Sequence, residues 1–326
     1  MELLGGRLRK IRILALLLTA LSFAIIFASV YIRLSMAGLG CADWPDCYGQ
    51  ILAGGPHPHS GGVRILHRVT AALSLLLGFV TLSVCLRPTP IQPAARIATQ
   101  LLALMILLTF IGLWSAAPHR VWPTFLNILG GLGLVSLSLA LYLAVRPDVA
   151  PTAPSRPALL PRAGLVALVL ASALGALIGA RYAAISCATT PACAGVWWPA
   201  VGGLAALNPF VTVAAAPLPG DAGGVLLHLL HRYCAVAALL LLGLAGWRAL
   251  AVEATRTAGR WLLLLLVIEF GLGSLTVVSG FSLWLAIGHS ICAAALLAAG
   301  IHLVNASKAD SRAVTCASAC RGHWIR

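Results

Sequence analysis

The chain has 326 residues, 60% of them hydrophobic and 9% charged, with a formal net charge of +14. Soluble domains carry about 25% charged residues, so a soluble globular protein is excluded and an all-α polytopic membrane protein is indicated. The positive balance does not point to nucleic acid, because the basic residues concentrate in alternate loops, as membrane topology requires.

The N-terminal stretch MELLGGRLRKIRILALLLTALSFAIIFASV starts basic, like a secretory leader. Its apolar run exceeds the roughly 7–15 residues of a leader's apolar core, so it reads as a retained first span. A helix needs about 20 apolar residues to cross a bilayer. Eight stretches qualify: 13–33, 64–86, 97–115, 122–145, 163–182, 224–246, 261–279 and 284–304. With the N-terminus in the cytoplasm, sixteen Lys and Arg fall inside. Six fall outside or at outer helix ends: Arg33, Arg64, Arg68, Arg120, Arg181 and Arg232. That bias predicts cytoplasmic termini. RPDVAPTAPSRPALLPR (146–162) is rich in proline and reads as a linker. The expected units are an N-terminal half (1–150), a cytoplasmic linker (151–162), and a C-terminal half with a cytoplasmic tail (163–326).

The halves repeat. VRILHRVTAALSLLLG (63–78) aligns with LHLLHRYCAVAALLLLG (227–243), setting His67 against His231. HRVWPTFLNILGGLGL (119–134) aligns with GFSLWLAIGHSICAAAL (280–296), setting Asn127 against His289. An even number of spans per half keeps the repeats parallel, which predicts two tandem four-helix bundles. Gly175-x-x-x-Gly179 would let helices approach closely. A transporter is the competing repeat architecture. Its polar groups would cluster at the midplane, whereas these lie toward the outer ends.

Cys41 and Cys47 in GLGCADWPDCYGQ, and Cys187 and Cys193 in the corresponding second-half loop, each enclose five residues. Both loops are long (34–62 and 183–223) and lie on the predicted outer side, where disulfides persist. One reading is that each disulfide pins its loop as a lid over its own bundle. The other is a thiol relay or metal site, although the spacing is not that of a C-x-x-C redox motif. Cys85, Cys234 and Cys292 read as small packing residues. Cys316 and Cys320 lie in the tail, as a metal-handling pair or as ordinary reduced thiols.

Ionisable groups inside spans are costly and usually functional. His67, His231 and His289 lie one to two turns inside the outer ends of spans two, six and eight. His231 and His289 could bind one heme iron from opposite sides, leaving no open position for oxygen. The alternative is a pair of hydrogen-bonding interior histidines. Arg68 and Arg232 directly follow two of these histidines, either as propionate anchors or as snorkelling interface arginines. His228 could line a propionate site, pair with Asp221 or sit inertly at a loop edge. His57 and His59 read as loop residues, and His119, His302 and His323 fit no pattern.

These residues carry a resemblance. GLGCADWPDCYGQ after the first span, LHR opening spans two and six, ILGGLGL in span four and SLWLAIGHS opening span eight are similar to the heme A synthase family, over about residues 11–305. The resemblance implies an eight-helix membrane oxidoreductase that converts the methyl group of heme O to the formyl of heme A for cytochrome oxidase. It implies a bacterial plasma or mitochondrial inner membrane, the former being expected here. It implies a heme b on His231 and His289, and substrate heme O on a span-two and a span-four histidine with a nearby glutamate. Expected partners are heme O, the heme O synthase that supplies it, membrane lipid, an electron donor and a second copy of the chain.

The N-terminal site departs from the family. His67 keeps the span-two ligand, but Arg64 stands at the glutamate position and Asn127 at the span-four histidine. Arg64 cannot accept a proton, and an amide is a poor iron ligand beside imidazole. Two functions stay open: a divergent synthase, with His67 as the sole protein ligand to the substrate iron, or an inactive paralogue acting as a b-type heme-binding or oxidase-assembly protein. Glu269, in EFGLGSLTV where the family has a glutamine, is either a proton carrier or a neutral hydrogen-bonding group.

Overall fold

A computed structural model describes residues 2–54, 61–114, 117–146, 159–198 and 201–321, with side chains described from 4 to 306. His57, His59, His323, most of the linker and the side chains of Cys316 and Cys320 lie outside the described residues. Eight helices run in chain order: α1 (Glu2–Ala37), α2 (Gly61–Leu86), α3 (Gln92–Trp114), α4 (Val121–Ala144), α5 (Leu159–Ala180), α6 (Ala222–Ala249), α7 (Glu253–Val278) and α8 (Leu283–Arg321). Each contains a stretch long and apolar enough to span a bilayer. Among the described residues there is no β-sheet, only isolated bridges at Arg120–Thr212 and Cys193–Val196. The chain is a multi-pass, all-α membrane protein.

Local chemistry sets the helix limits. Pro88 and Pro90 follow α2 and cannot continue it, whereas Pro93, Pro123 and Pro161 sit in first turns, where a missing N–H costs nothing. Asp221 caps α6, its carboxylate accepting from Gly224 N at 2.8 Å. Two helices outrun their expected limits: α1 begins within the basic N-terminal segment, and α8 continues past its apolar part into the tail.

The helices are inverted relative to soluble ones. On α2, the buried stripe is Thr70, Ser74, Gly78, Thr81 and Cys85, while Leu73, Leu76 and Phe79 face outward. Lipid tails are as apolar as leucine, so small side chains that permit close packing go inside. The hydroxyls return their hydrogen bonds to the carbonyl four residues back, as from Ser74 to Thr70 O at 2.8 Å.

Helix α1 packs on α2 and α4, and α3 on the same two; α5 packs on α6 and α8, and α7 on the same two. Between these groups, α4 touches α5 and α8, and α1 touches α8. One apolar core runs across that seam, joining Ile26, Val30, Leu132 and Val135 to Leu168, Leu242, Ile287 and Leu296.

The second cysteine loop covers its own half, with Cys187 and Cys193 packed on Val225 and Leu229 of α6, but both loops also reach across to the other half. Cys41 is bonded to Cys47, and Cys187 to Cys193. The first loop leaves α1 through Gly38 (φ 101°), where a Cβ would lie 2.6 Å from Cys47 O. It then leans onto the C-terminal half. Trp44 and Tyr48 pack with Phe281, Tyr182, Ala216 and Leu283, and Tyr48 Oη accepts from Ala184 N at 3.3 Å. Burial raises the Tyr48 phenol above its ordinary pKa, so it stays a neutral hydroxyl. The second loop reaches the other way: Val213 N donates to His119 O at 2.8 Å, and Val121 N to Val211 O at 3.3 Å. Each loop thus contacts the opposite half as well. Phe281 meets Trp44 from a left-handed conformation (φ 65°), which costs about 1–2 kcal/mol and is held by packing on both sides. Alkylation of the denatured, unreduced protein should modify Cys85, Cys234 and Cys292 and spare Cys41, Cys47, Cys187 and Cys193. Peptide mass mapping reads this directly, and label on the four loop thiols would contradict the pairing.

Candidate functional site

The structure brings His231 of α6 and His289 of α8 together, their ring centres 6.3 Å apart and their planes at 85°. Each ring leans on the preceding helix in the same way. His231 Nδ1 lies 2.8 Å from Ala171 O on α5, and Gly175, one turn on, leaves the space the ring occupies. His289 Nδ1 lies 3.1 Å from Glu269 Oε1 on α7, and Gly273, one turn on, leaves the corresponding space. A Cβ would approach His231 Cε1 to 3.3 Å from Gly175 and His289 Cε1 to 3.0 Å from Gly273.

This arrangement selects a tautomer. A carbonyl or carboxylate at Nδ1 holds the proton there and leaves the lone pair on Nε2. Metal-binding histidines are oriented in this way by an acceptor on the other ring nitrogen. The spacing also fits. Imidazole binds a metal at about 2 Å, and its ring centre lies about 1 Å behind the nitrogen, so opposed imidazoles on one ion have centres about 6 Å apart. Among the described residues no cluster of three or more His, Cys, Asp or Glu side chains forms. The pair therefore suits an ion whose other ligands come from a macrocycle.

Arg232 lies one residue past His231, half-buried, with Nη1 donating to Pro191 O at 2.9 Å and Nη2 buried without a partner. That unspent donor fits a carboxylate. His228 is buried, its Nε2 3.0 Å from Ala183 O, and it does not pair with Asp221, which caps α6 instead. Arg33 of α1 escaped the sequence reading except as a topological charge. Its guanidinium fills the space over Gly179 of α5, one turn from Gly175, within electrostatic reach of Tyr48 and Tyr182. The Gly175-x-x-x-Gly179 spacing was the available signal, and the two notches receive an imidazole and a guanidinium rather than another helix.

The N-terminal counterpart is looser. His67 is half-buried on α2, Arg68 is exposed, and Asn127 is half-buried on α4. Among the described residues no hydrogen bond joins His67 to Asn127. Arg64 is exposed, its Nη2 2.9 Å from Met36 Sδ on α1.

Compared with known proteins, residues 62–301 match a family described as Cytochrome oxidase assembly protein, COX15-CtaA. The matched region contains both histidine sites and Glu269 and begins after the first cysteine loop. A curated relative, Heme A synthase of Shewanella oneidensis, is 29% identical over 301 residues, covering 84% of this chain and 89% of its own length.

Proposed function

This chain belongs to the COX15-CtaA family of cytochrome oxidase assembly proteins, and on that basis we propose that it is a heme A synthase-type membrane oxidoreductase acting on the methyl group of heme O. The observation that carries the proposal is the His231–His289 pair, with ring centres 6.3 Å apart, Nδ1 of His231 bonded to Ala171 O and Nδ1 of His289 3.1 Å from Glu269 Oε1. In this reading the two Nε2 atoms hold a heme b, which when bound supplies a one-electron carrier closed to oxygen. Arg232 offers its free Nη2 to a propionate. Arg68 is the corresponding candidate beside His67, which holds the substrate heme from one side.

The helix neighbour order supports reading residues 1–150 and 163–326 as two four-helix bundles joined by the linker 151–162. The positive-inside bias supports cytoplasmic termini in a bacterial plasma membrane, with the cysteine loops outside. Heme O synthase would supply the substrate, and an electron donor and a second copy of the chain complete the set of expected partners.

A second reading rests on a specific observation. Arg64 and Asn127 stand at the remaining polar positions of the N-terminal site, while the C-terminal pair is complete. The protein would then be a b-type heme-binding assembly factor without synthase activity. One experiment separates the two: express the chain with a heme O synthase in a host lacking heme A, then extract and separate the membrane hemes. Heme A or its hydroxylated precursor is expected. Only heme B and heme O, with the protein present and holding heme b, would establish the second reading instead.

A further inference from the structure

Glu269 is the only carboxylate in the interior of the described spans, and the heme-iron reading gives it no role. It lies about two-thirds of the way along α7 with its side chain 14% exposed and Oε1 3.1 Å from His289 Nδ1, and both that Nδ1 and Glu269 Oε2 are buried without a hydrogen-bond partner. A carboxyl group withdrawn from water in an apolar span is unfavourable unless it is paired. Here the polar groups within reach are the imidazole of His289 and the thiol of Cys292. The matching contact on the other side of the site is made by a neutral backbone carbonyl, Ala171 O, at 2.8 Å. Each histidine therefore has an oxygen near Nδ1 and a glycine one turn beyond it, a backbone carbonyl for His231 and a side-chain carboxyl group for His289.

We propose that Glu269 is a positioning residue for His289: its carboxylate takes the Nδ1–H, keeps Nε2 available to a metal, and makes this imidazole the more electron-rich of the two. This rests on the reading of His231 and His289 as paired ligands of one heme iron. An electron-rich axial imidazole stabilises the oxidised iron, so Glu269 holds the reduction potential down. Ala171 O orients His231 without that electronic effect.

The test uses full-length protein purified with its heme, read by the low-spin optical and EPR signature and by redox titration. Glu269→Gln keeps the size and an acceptor oxygen but removes the charge. It should retain six-coordinate, low-spin heme with a potential raised by at least tenfold in the one-electron equilibrium, about 59 mV. Glu269→Leu removes the acceptor as well and should add a high-spin fraction as His289 loses its orientation. Glu253→Gln, which removes the same charge at the far end of α7, should leave both readings at wild type. An unchanged or lowered potential in Glu269→Gln, with unaltered low-spin heme in Glu269→Leu, overturns the proposal. Wild-type protein that carries no heme would instead overturn the ligand reading beneath it, so the two failures are distinguishable.

Discussion

On the proposed reading, replacing either His231 or His289 with alanine should abolish stable heme b binding, each change alone being sufficient. The rings lie on α6 and α8 with centres 6.3 Å apart, Nδ1 of His231 2.8 Å from Ala171 O and Nδ1 of His289 3.1 Å from Glu269 Oε1. Without either Nε2, a heme iron held by this pair would lose one of its two protein ligands. Altering even the supporting contacts of a ligand lowers metal affinity about 10–100-fold, so loss of the ligand itself should cost at least that. The reduced-minus-oxidised spectrum of purified protein reads the result. His67→Ala, in the other half, should leave the heme b signal intact. Equal heme b absorbance in wild type and both alanine variants would mean that the two histidines are interior hydrogen-bonding groups.

Gly273→Leu should empty the same site without touching a ligand. A Cβ at Gly273 lies 3.0 Å from His289 Cε1, inside van der Waals contact, and the remaining leucine atoms need space the imidazole fills. Overpacking of this kind costs about 1–3 kcal/mol. The helix itself does not suffer, because glycine is the poorer helix former by about 1 kcal/mol. Gly271, two residues earlier on α7, has nothing within 4 Å of its Cβ position, so Gly271→Leu is the matched control. Heme content should collapse in Gly273→Leu and persist in Gly271→Leu, with both proteins accumulating in the membrane. Full heme occupancy in Gly273→Leu would show that the ring can retreat and still bind, and would remove the glycine notch from the account of the site.

Each half of the molecule was legible to a different degree. The eight spans follow from runs of apolar residues, because a segment in lipid must satisfy its own backbone hydrogen bonds and so has one choice of structure. His231 and His289 stand out because an imidazole in an apolar run is costly and therefore conspicuous. Cys41 with Cys47, and Cys187 with Cys193, are each separated by five residues within a long outer loop, a spacing that makes a disulfide one visible reading. All of these signals are local.

What the sequence by itself determined was the class of protein, the number of spans, the two ligand candidates and the family resemblance. Only the tertiary structure decided that Glu269 meets His289, that Gly175 and Gly273 are notches for imidazoles, that Arg33 of one half reaches over Gly179 of the other, and that each loop contacts the opposite half. The physical reason is separation along the chain. Trp44 and Phe281, or His119 and Val213, meet because the seam between helices places them together, and no periodicity within either segment encodes the other. Glycine is least legible of all, since its contribution is the side chain it lacks, and that has meaning only once the atom filling the space is known.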